Sequence, residues 1–112
     1  MNELIKKVEA WGEEKGIIDP SNVDKQFMKF MEEVFEFKTM LDLELNYAGD
    51  GDYLRFDSTK MEFGDVLVTL VILAKQLGLD WEECLIMAYE KIKIRKGKTI
   101  DGVFVKEEDL AK

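Results

Sequence analysis

The sequence predicts an all-α fold, four helices joined by short connections into a four-helix bundle-type domain, with a short C-terminal hairpin or extended arm. Three observations predict it. Apolar residues recur at three- and four-residue spacing through most of the 112 residues. The chain contains a single proline, so little interrupts that periodicity. Its 46% hydrophobic and 36% charged residues suit a chain that buries a core rather than a disordered one. No internal repeat, low-complexity tract or long linker divides it, and residues 1–112 are expected to form one domain, with the arm starting at about residue 97.

Each element has its own signal. Leu4, Val8 and Trp11 keep helical spacing in the first helix, before Gly12 and Gly16 weaken it. "IIDPSNVD" reads as a connection, in which Ser21-x-x-Asp24 resembles a capping box opening the second helix. That helix carries Phe27, Phe30, Met31, Val34, Leu41 and Leu45 and is expected to stop near the turn-forming "NYAGDGD". A third helix opens near "DSTKMEF" and runs to about Leu77, with Gly78 as its stop. It is apolar almost all round, which marks it as the most buried of the four. Asp80 is placed to cap a fourth, from Trp81 to roughly Lys96. In the tail, two short β-capable pieces flank Asp101-Gly102, a dipeptide suited to a tight hairpin turn, and a frayed helical end follows.

Composition excludes several chemistries. The chain has no histidine, which removes Ser-His-Asp and Cys-His catalysis, imidazole zinc sites and Glu-x-x-His di-iron sites. Its one cysteine, Cys84, lies among apolar residues and reads as a small core residue. A net charge of −8 argues against nucleic acid or an anionic membrane as partner. The opening residues are amphipathic and charged, unlike a secretory signal, and the longest apolar stretch, Val66 to Ala74, is far too short to span a bilayer. A soluble, cytoplasmic protein is the expectation.

Against this background the acids in "MEEVFEF" and "MEFGDVLVTLVILA" stand out. At about 100° per residue, Glu33 and Glu36 lie about 60° apart and border the apolar arc that holds Phe30, Phe37 and Met40. Glu62 and Asp65 repeat the same i, i+3 spacing beside Val66, Thr69 and Leu73. Buried carboxylates are costly unless paired, hydrogen-bonded or bound to metal. Lys29 can pair with Glu33, and Lys60 lies near the start of the third helix, but these cations are too few for four acids. Two such pairs on neighbouring helices can converge on a hard divalent cation, and an all-oxygen set selects Mg²⁺, with Mn²⁺ as a close substitute.

At these residues the sequence resembles the MazG-like, all-α nucleoside triphosphate pyrophosphohydrolases. Their pattern of Glu-Glu-x-x-Glu, a variable gap and Glu-x-x-Asp is matched by "EEVFE" (Glu32 to Glu36) and "EFGD" (Glu62 to Asp65). The resemblance runs from about Gln26 to Lys98: "QFMKFMEEVFE" and "EFGDVLVTLVILA" are similar to the family's two motif helices, and "AYEKIKIRKGK" to a downstream segment. There Lys91 matches a family lysine, whereas Tyr89 replaces an asparagine. What the resemblance implies is Mg²⁺-dependent hydrolysis of a nucleoside triphosphate to the monophosphate and pyrophosphate by a homodimer or homotetramer. Glu33, Glu36, Glu62 and Asp65 would then be metal ligands. Glu32 would orient water, so that Glu32, Glu33 and Glu36 form the catalytic group.

Substrate contacts are sought elsewhere. Lys91, Lys93, Arg95, Lys96 and Lys98 form a concentrated basic patch, read as a phosphate clamp with Lys91 and Arg95 four apart on one helix face. Lys29 is counted with these substrate-side cations, while Trp11, Gln26 and Phe30 are candidates for contacting the base. Two rival readings remain open at this point. One is a member of the same superfamily selective for dUTP or dCTP; the other is a non-catalytic, metal-binding helical oligomer.

Overall fold

The structure, a computed structural model, describes residues 2–47 and 57–110. It is mostly helical, with one small antiparallel hairpin. The chain forms two compact units, Met1–Leu79 and Asp80–Lys112. The first unit holds α1 (Asn2–Glu14), a single 3₁₀ turn (Pro20–Asn22), α2 (Val23–Tyr47) and α3 (Asp57–Leu77). The second holds α4 (Trp81–Ile92), β1 (Gly97–Ile100), β2 (Val103–Lys106) and α5 (Glu107–Leu110). Part of the predicted "NYAGDGD" turn belongs to α2, and the rest lies outside the described residues.

α3 is the centre of the first unit. Its face of Thr59, Val66, Thr69, Ile72, Leu73 and Gln76 is buried at helical spacing, and Ile72 is 1% exposed. Two of the three buried polar groups on that face are tied to main chain. The Thr69 hydroxyl donates to the Val66 carbonyl at 2.6 Å, and Gln76 Nε2 donates to the Ile17 carbonyl at 3.0 Å. α2 runs antiparallel to α3. Phe37 and Phe63 meet with ring centroids 5.4 Å apart, and nearer the connection Glu44 accepts a hydrogen bond from the Thr59 amide at 2.7 Å. Glu44 thereby satisfies one of the free amides that open α3.

The ends of the helices correct two expectations. Gly16, at φ +72°, does not merely weaken α1 but closes it. Its amide bonds to the Glu13 carbonyl and that of Ile17 to the Gly12 carbonyl, both at 3.0 Å, the double bond of a left-handed helix stop. Gly78 does the same for α3, with Leu79 bonding back to Ala74 at 2.8 Å. The cap ahead of α2 is supplied by Asp19, whose carboxylate accepts from the Ser21 amide at 2.9 Å, rather than by a box starting at Ser21. Pro20 then opens the 3₁₀ turn that leads into the helix, taking the helical path one turn earlier than the capping box implies.

Gly12 has a different role. It is buried inside α1, and a Cβ there would lie 2.6 Å from Ile72 Cδ1 and 2.9 Å from Ile18 Cδ1. The missing side chain lets α1 settle against the middle of α3.

In the second unit Asp80 caps α4 as expected, accepting from the Glu82 and Glu83 amides at 3.0 and 3.2 Å. The hairpin turns on Asp101 and Gly102, both at positive φ, with Ile100 opposite Val103 and Gly97 opposite Lys106. α4 ends at Ile92, four residues before the predicted Lys96, because the chain must turn into β1 and the Lys96 carbonyl is taken by the Glu107 amide at 2.8 Å. Cys84 is exposed, contrary to its assignment to the core, as are Leu85, Ile86 and Met87. Apolar spacing dictates burial only where another element covers the face. Among the described residues, no helix is long and apolar enough to cross a membrane.

Replacing Gly12 by valine is expected to lower stability in urea unfolding by about 2 kcal/mol through overpacking. Alanine is expected to cost less, since it recovers about 1 kcal/mol of helix propensity.

Candidate metal centre and its flanking grooves

The inward stripe of α2 is not purely apolar. Val23, Gln26, Phe30, Glu33, Phe37, Met40, Leu41 and Glu44 are its less exposed positions, and Glu33, at 7% exposure, is the most buried of them. Glu33 therefore lies within the stripe rather than on its border. Packing α2 antiparallel on α3 sets this carboxylate against Glu62 and Asp65, which stand one helical turn apart and are less buried than the apolar face beside them. One carboxylate oxygen from each of Glu33, Glu62 and Asp65 lies within 4.8 Å of the others.

Charge compensation at this cluster is incomplete. Lys29 Nζ lies 3.1 Å from Glu33 Oε1 and 3.6 Å from Glu32 Oε2. Glu33 Oε2 and Glu62 Oε2 are buried and have no hydrogen-bond partner. The hydrogen bond to Glu33 raises the Lys29 ammonium above the usual lysine range, against a smaller opposing effect of burial, and the charges of Glu32, Glu33 and Glu36 add to the rise. The Glu36 carboxyl is raised above its usual range. The charge of Glu33 is the main cause, followed by burial, a hydrogen bond to Glu33 and the charges of Glu62 and Glu32.

Two open grooves flank the cluster. One, of about 380 Å³, is lined by Glu32, Phe35, Glu36, Thr39, Met40 and Glu62. The other, of about 360 Å³, is lined by Lys7, Val8, Trp11, Asp65 and Val68. Glu62 and Asp65, one helical turn apart, give each groove a share of the cluster.

Of the predicted ligands, the structure brings Glu33, Glu62 and Asp65 together. Glu36 stands outside that triple, though it shares a groove with Glu62 and feels the charges of Glu33 and Glu62. Glu32 lines the same groove and pairs with Lys29. Trp11 lies in the groove beside Asp65, whereas Gln26 and Phe30 are half-buried on the α2 stripe.

The basic patch belongs to the second unit, and the structure corrects its geometry. With α4 ending at Ile92, Lys91 stands on the helix, Arg95 and Lys96 on the link and Lys98 on β1, so Lys91 and Arg95 do not share a helix face. Lys93 is taken up by an ion pair with Glu90. Lys7, Phe35, Thr39 and the cap Glu44 are absent from the sequence-derived set. Lys7 precedes Trp11 by four residues and Thr39 follows Glu36 by three, so helical spacing from residues already singled out would have found both.

The residues present fit a hard divalent cation. The donors are all carboxylate oxygens, they come from two facing helices, and two of their buried oxygens lack any partner.

The chain matches no known family profile and no solved structure. It is 34% identical over 80 residues to an uncharacterized 18.2 kDa protein from the rep-hol intergenic region of Haemophilus phage HP1 (strain HP1c1). The alignment takes in 71% of this chain and 43% of the phage protein, so the chain spans less than half the length of that relative.

Glu36 gives a pH prediction for the metal-free protein. Its proton is held more tightly in the folded than in the unfolded chain, so its contribution to stability falls as pH rises through the range above the ordinary glutamate value. Glu36→Gln is therefore expected to be more stable than wild type in urea melts with EDTA at about pH 8, the difference narrowing at about pH 5.

Proposed function

We propose that the protein is a Mg²⁺-dependent nucleotide pyrophosphohydrolase of the MazG-like type, converting a ribo- or deoxyribonucleoside triphosphate to the monophosphate and pyrophosphate. The observation that carries this reading is the convergence of Glu33, Glu62 and Asp65 from two facing helices, with two buried oxygens unpartnered. These are positions at which the double acidic motif resembles that family. The cellular role consistent with it is clearance of unwanted nucleotides. The same reading carries the four-helix bundle, the homodimer or homotetramer and the cytoplasmic setting expected from the sequence.

Glu33, Glu62 and Asp65 would hold the cation, with Glu36 close enough to join them. When bound, a divalent cation offsets phosphate charge and makes a nearby water more acidic. The chain's own residues supply the remainder. Glu32 and Glu36, facing one groove beside Glu62, can accept a proton from a water that adds to the α-phosphorus as the bond to the departing pyrophosphate breaks. Trp11, 45% exposed in the other groove, offers a flat apolar face for a base. Lys7, in the same groove, and Lys29, paired to Glu33, are the nearby cations for phosphate.

The test is pyrophosphate release from a panel of ribo- and deoxyribonucleoside triphosphates, with Mg²⁺ and with EDTA. Release is expected to require the metal and to fall at least about a hundredfold in Asp65→Asn and Glu62→Gln, with helix content retained. Release that survives EDTA, or that Asp65→Asn leaves intact, overturns the reading. Trp11→Ala is expected to raise KM about tenfold while changing kcat much less, since stacking acts on binding.

A further inference from the structure

The acidic cluster carries its own cation. Glu32, Glu33, Glu36, Glu62 and Asp65 crowd five carboxylates around the α2–α3 contact, and among the described residues Lys29 is the cation in ion-pair range of any of them. Of the other lysines of the first unit, Lys38 pairs with Asp42 and Lys60 with Asp57, while Lys7 shares the groove of Asp65 without coming into ion-pair range. Lys29 reaches the cluster from the preceding turn of α2, four residues before Glu33 and three before Glu32. Its side chain is 51% exposed, whereas that of Glu33 is 10% exposed, so the ammonium sits at the rim and holds a nearly buried acid by one oxygen. The second oxygen, Glu33 Oε2, is buried and unpartnered.

This arrangement bears on how a cation enters. A buried carboxylate in apolar packing is costly without a counter-charge, and Lys29, 3.1 Å from Glu33 Oε1, supplies one. A divalent ion arriving at Glu33, Glu62 and Asp65 brings its two charges to within a few ångströms of that ammonium and competes with it for Glu33. The lysine stem is flexible and half in solvent, so the ammonium can leave while the helix backbone stays in place.

We propose that Lys29 is a resident counter-cation of the cluster, displaced when a divalent cation binds and thereby released to pair with an incoming polyphosphate. The inference rests on the metal-site reading above. It makes Lys29 a positioning and exchange residue: its charge opposes metal binding and favours phosphate binding at the same site.

The two signs give the test. Mn²⁺ binding to the full chain is measured by calorimetry at about pH 8, without nucleotide, for wild type, Lys29→Gln and Lys29→Arg. Lys29→Gln is expected to bind Mn²⁺ about tenfold more tightly, and Lys29→Arg to stay near wild type because it keeps the charge. Inorganic pyrophosphate binding to the Mn²⁺-loaded protein is expected to weaken about tenfold in Lys29→Gln. Damage to the fold would weaken both, so tighter metal with weaker pyrophosphate is the signature of exchange. Wild type binding Mn²⁺ and Lys29→Gln binding it no more tightly, with unchanged circular dichroism, overturns the role of Lys29 and leaves the metal site standing. No Mn²⁺ binding by wild type or either variant overturns the metal site and the inference together.

Discussion

The first unit depends on an antiparallel contact between α2 and α3 that buries a carboxylate. Glu33 occupies a position where the helical stripe requires an inward side chain, between Phe30 and Phe37, and the helices close over it. An apolar residue there would pack without penalty. A glutamate imposes a debt that must be met locally, and the structure meets it from one side with Lys29 while leaving Glu33 Oε2 unmatched. The neighbouring acids of α3 deepen the imbalance. Under the metal-site proposal, positive charge from solution would complete the cluster and tie the packing of the two helices to their chemistry.

The surrounding fold holds that contact in register. Phe37 against Phe63 fixes the helices on one side of the cluster, and Glu44 on the Thr59 amide fixes them nearer the connection. Further along α3, the bare backbone at Gly12 admits Ile72 and Ile18, and Gln76 anchors the chain just after α1 through the Ile17 carbonyl. Through these contacts Trp11 and Lys7 come to lie beside Asp65, so one groove owes its wall to a residue that has no side chain.

Helical spacing made the helices, the stop at Gly78, the cap at Asp80 and the Asp101-Gly102 turn legible, because each depends on chemistry within a few neighbours. The acidic residues were legible as a set, since i, i+3 spacing beside apolar positions survives without knowledge of partners. What spacing could not convey was which acids meet. Glu36 lies one turn from Glu33 and faces a groove, and only the crossing of two helices separates it from the converging triple. The same blindness explains Cys84 and the end of α4. Burial of an apolar face depends on a covering element, and the last turn of α4 yields to a main-chain bond between Lys96 and Glu107 that no local pattern announces. Glu44 was missed because it caps a helix fifteen residues away.

That Glu44 bond also separates two properties that loops often couple. It joins the last turns of α2 directly to the first turn of α3, so the spacing of the acids is established on the helix side of the connection. The entropy of closing a loop grows only slowly with its length. A longer connection would therefore cost little while Glu33, Glu62 and Asp65 keep their alignment. The fold thus offers a place where sequence can drift, or another segment can be inserted, without retuning the cluster.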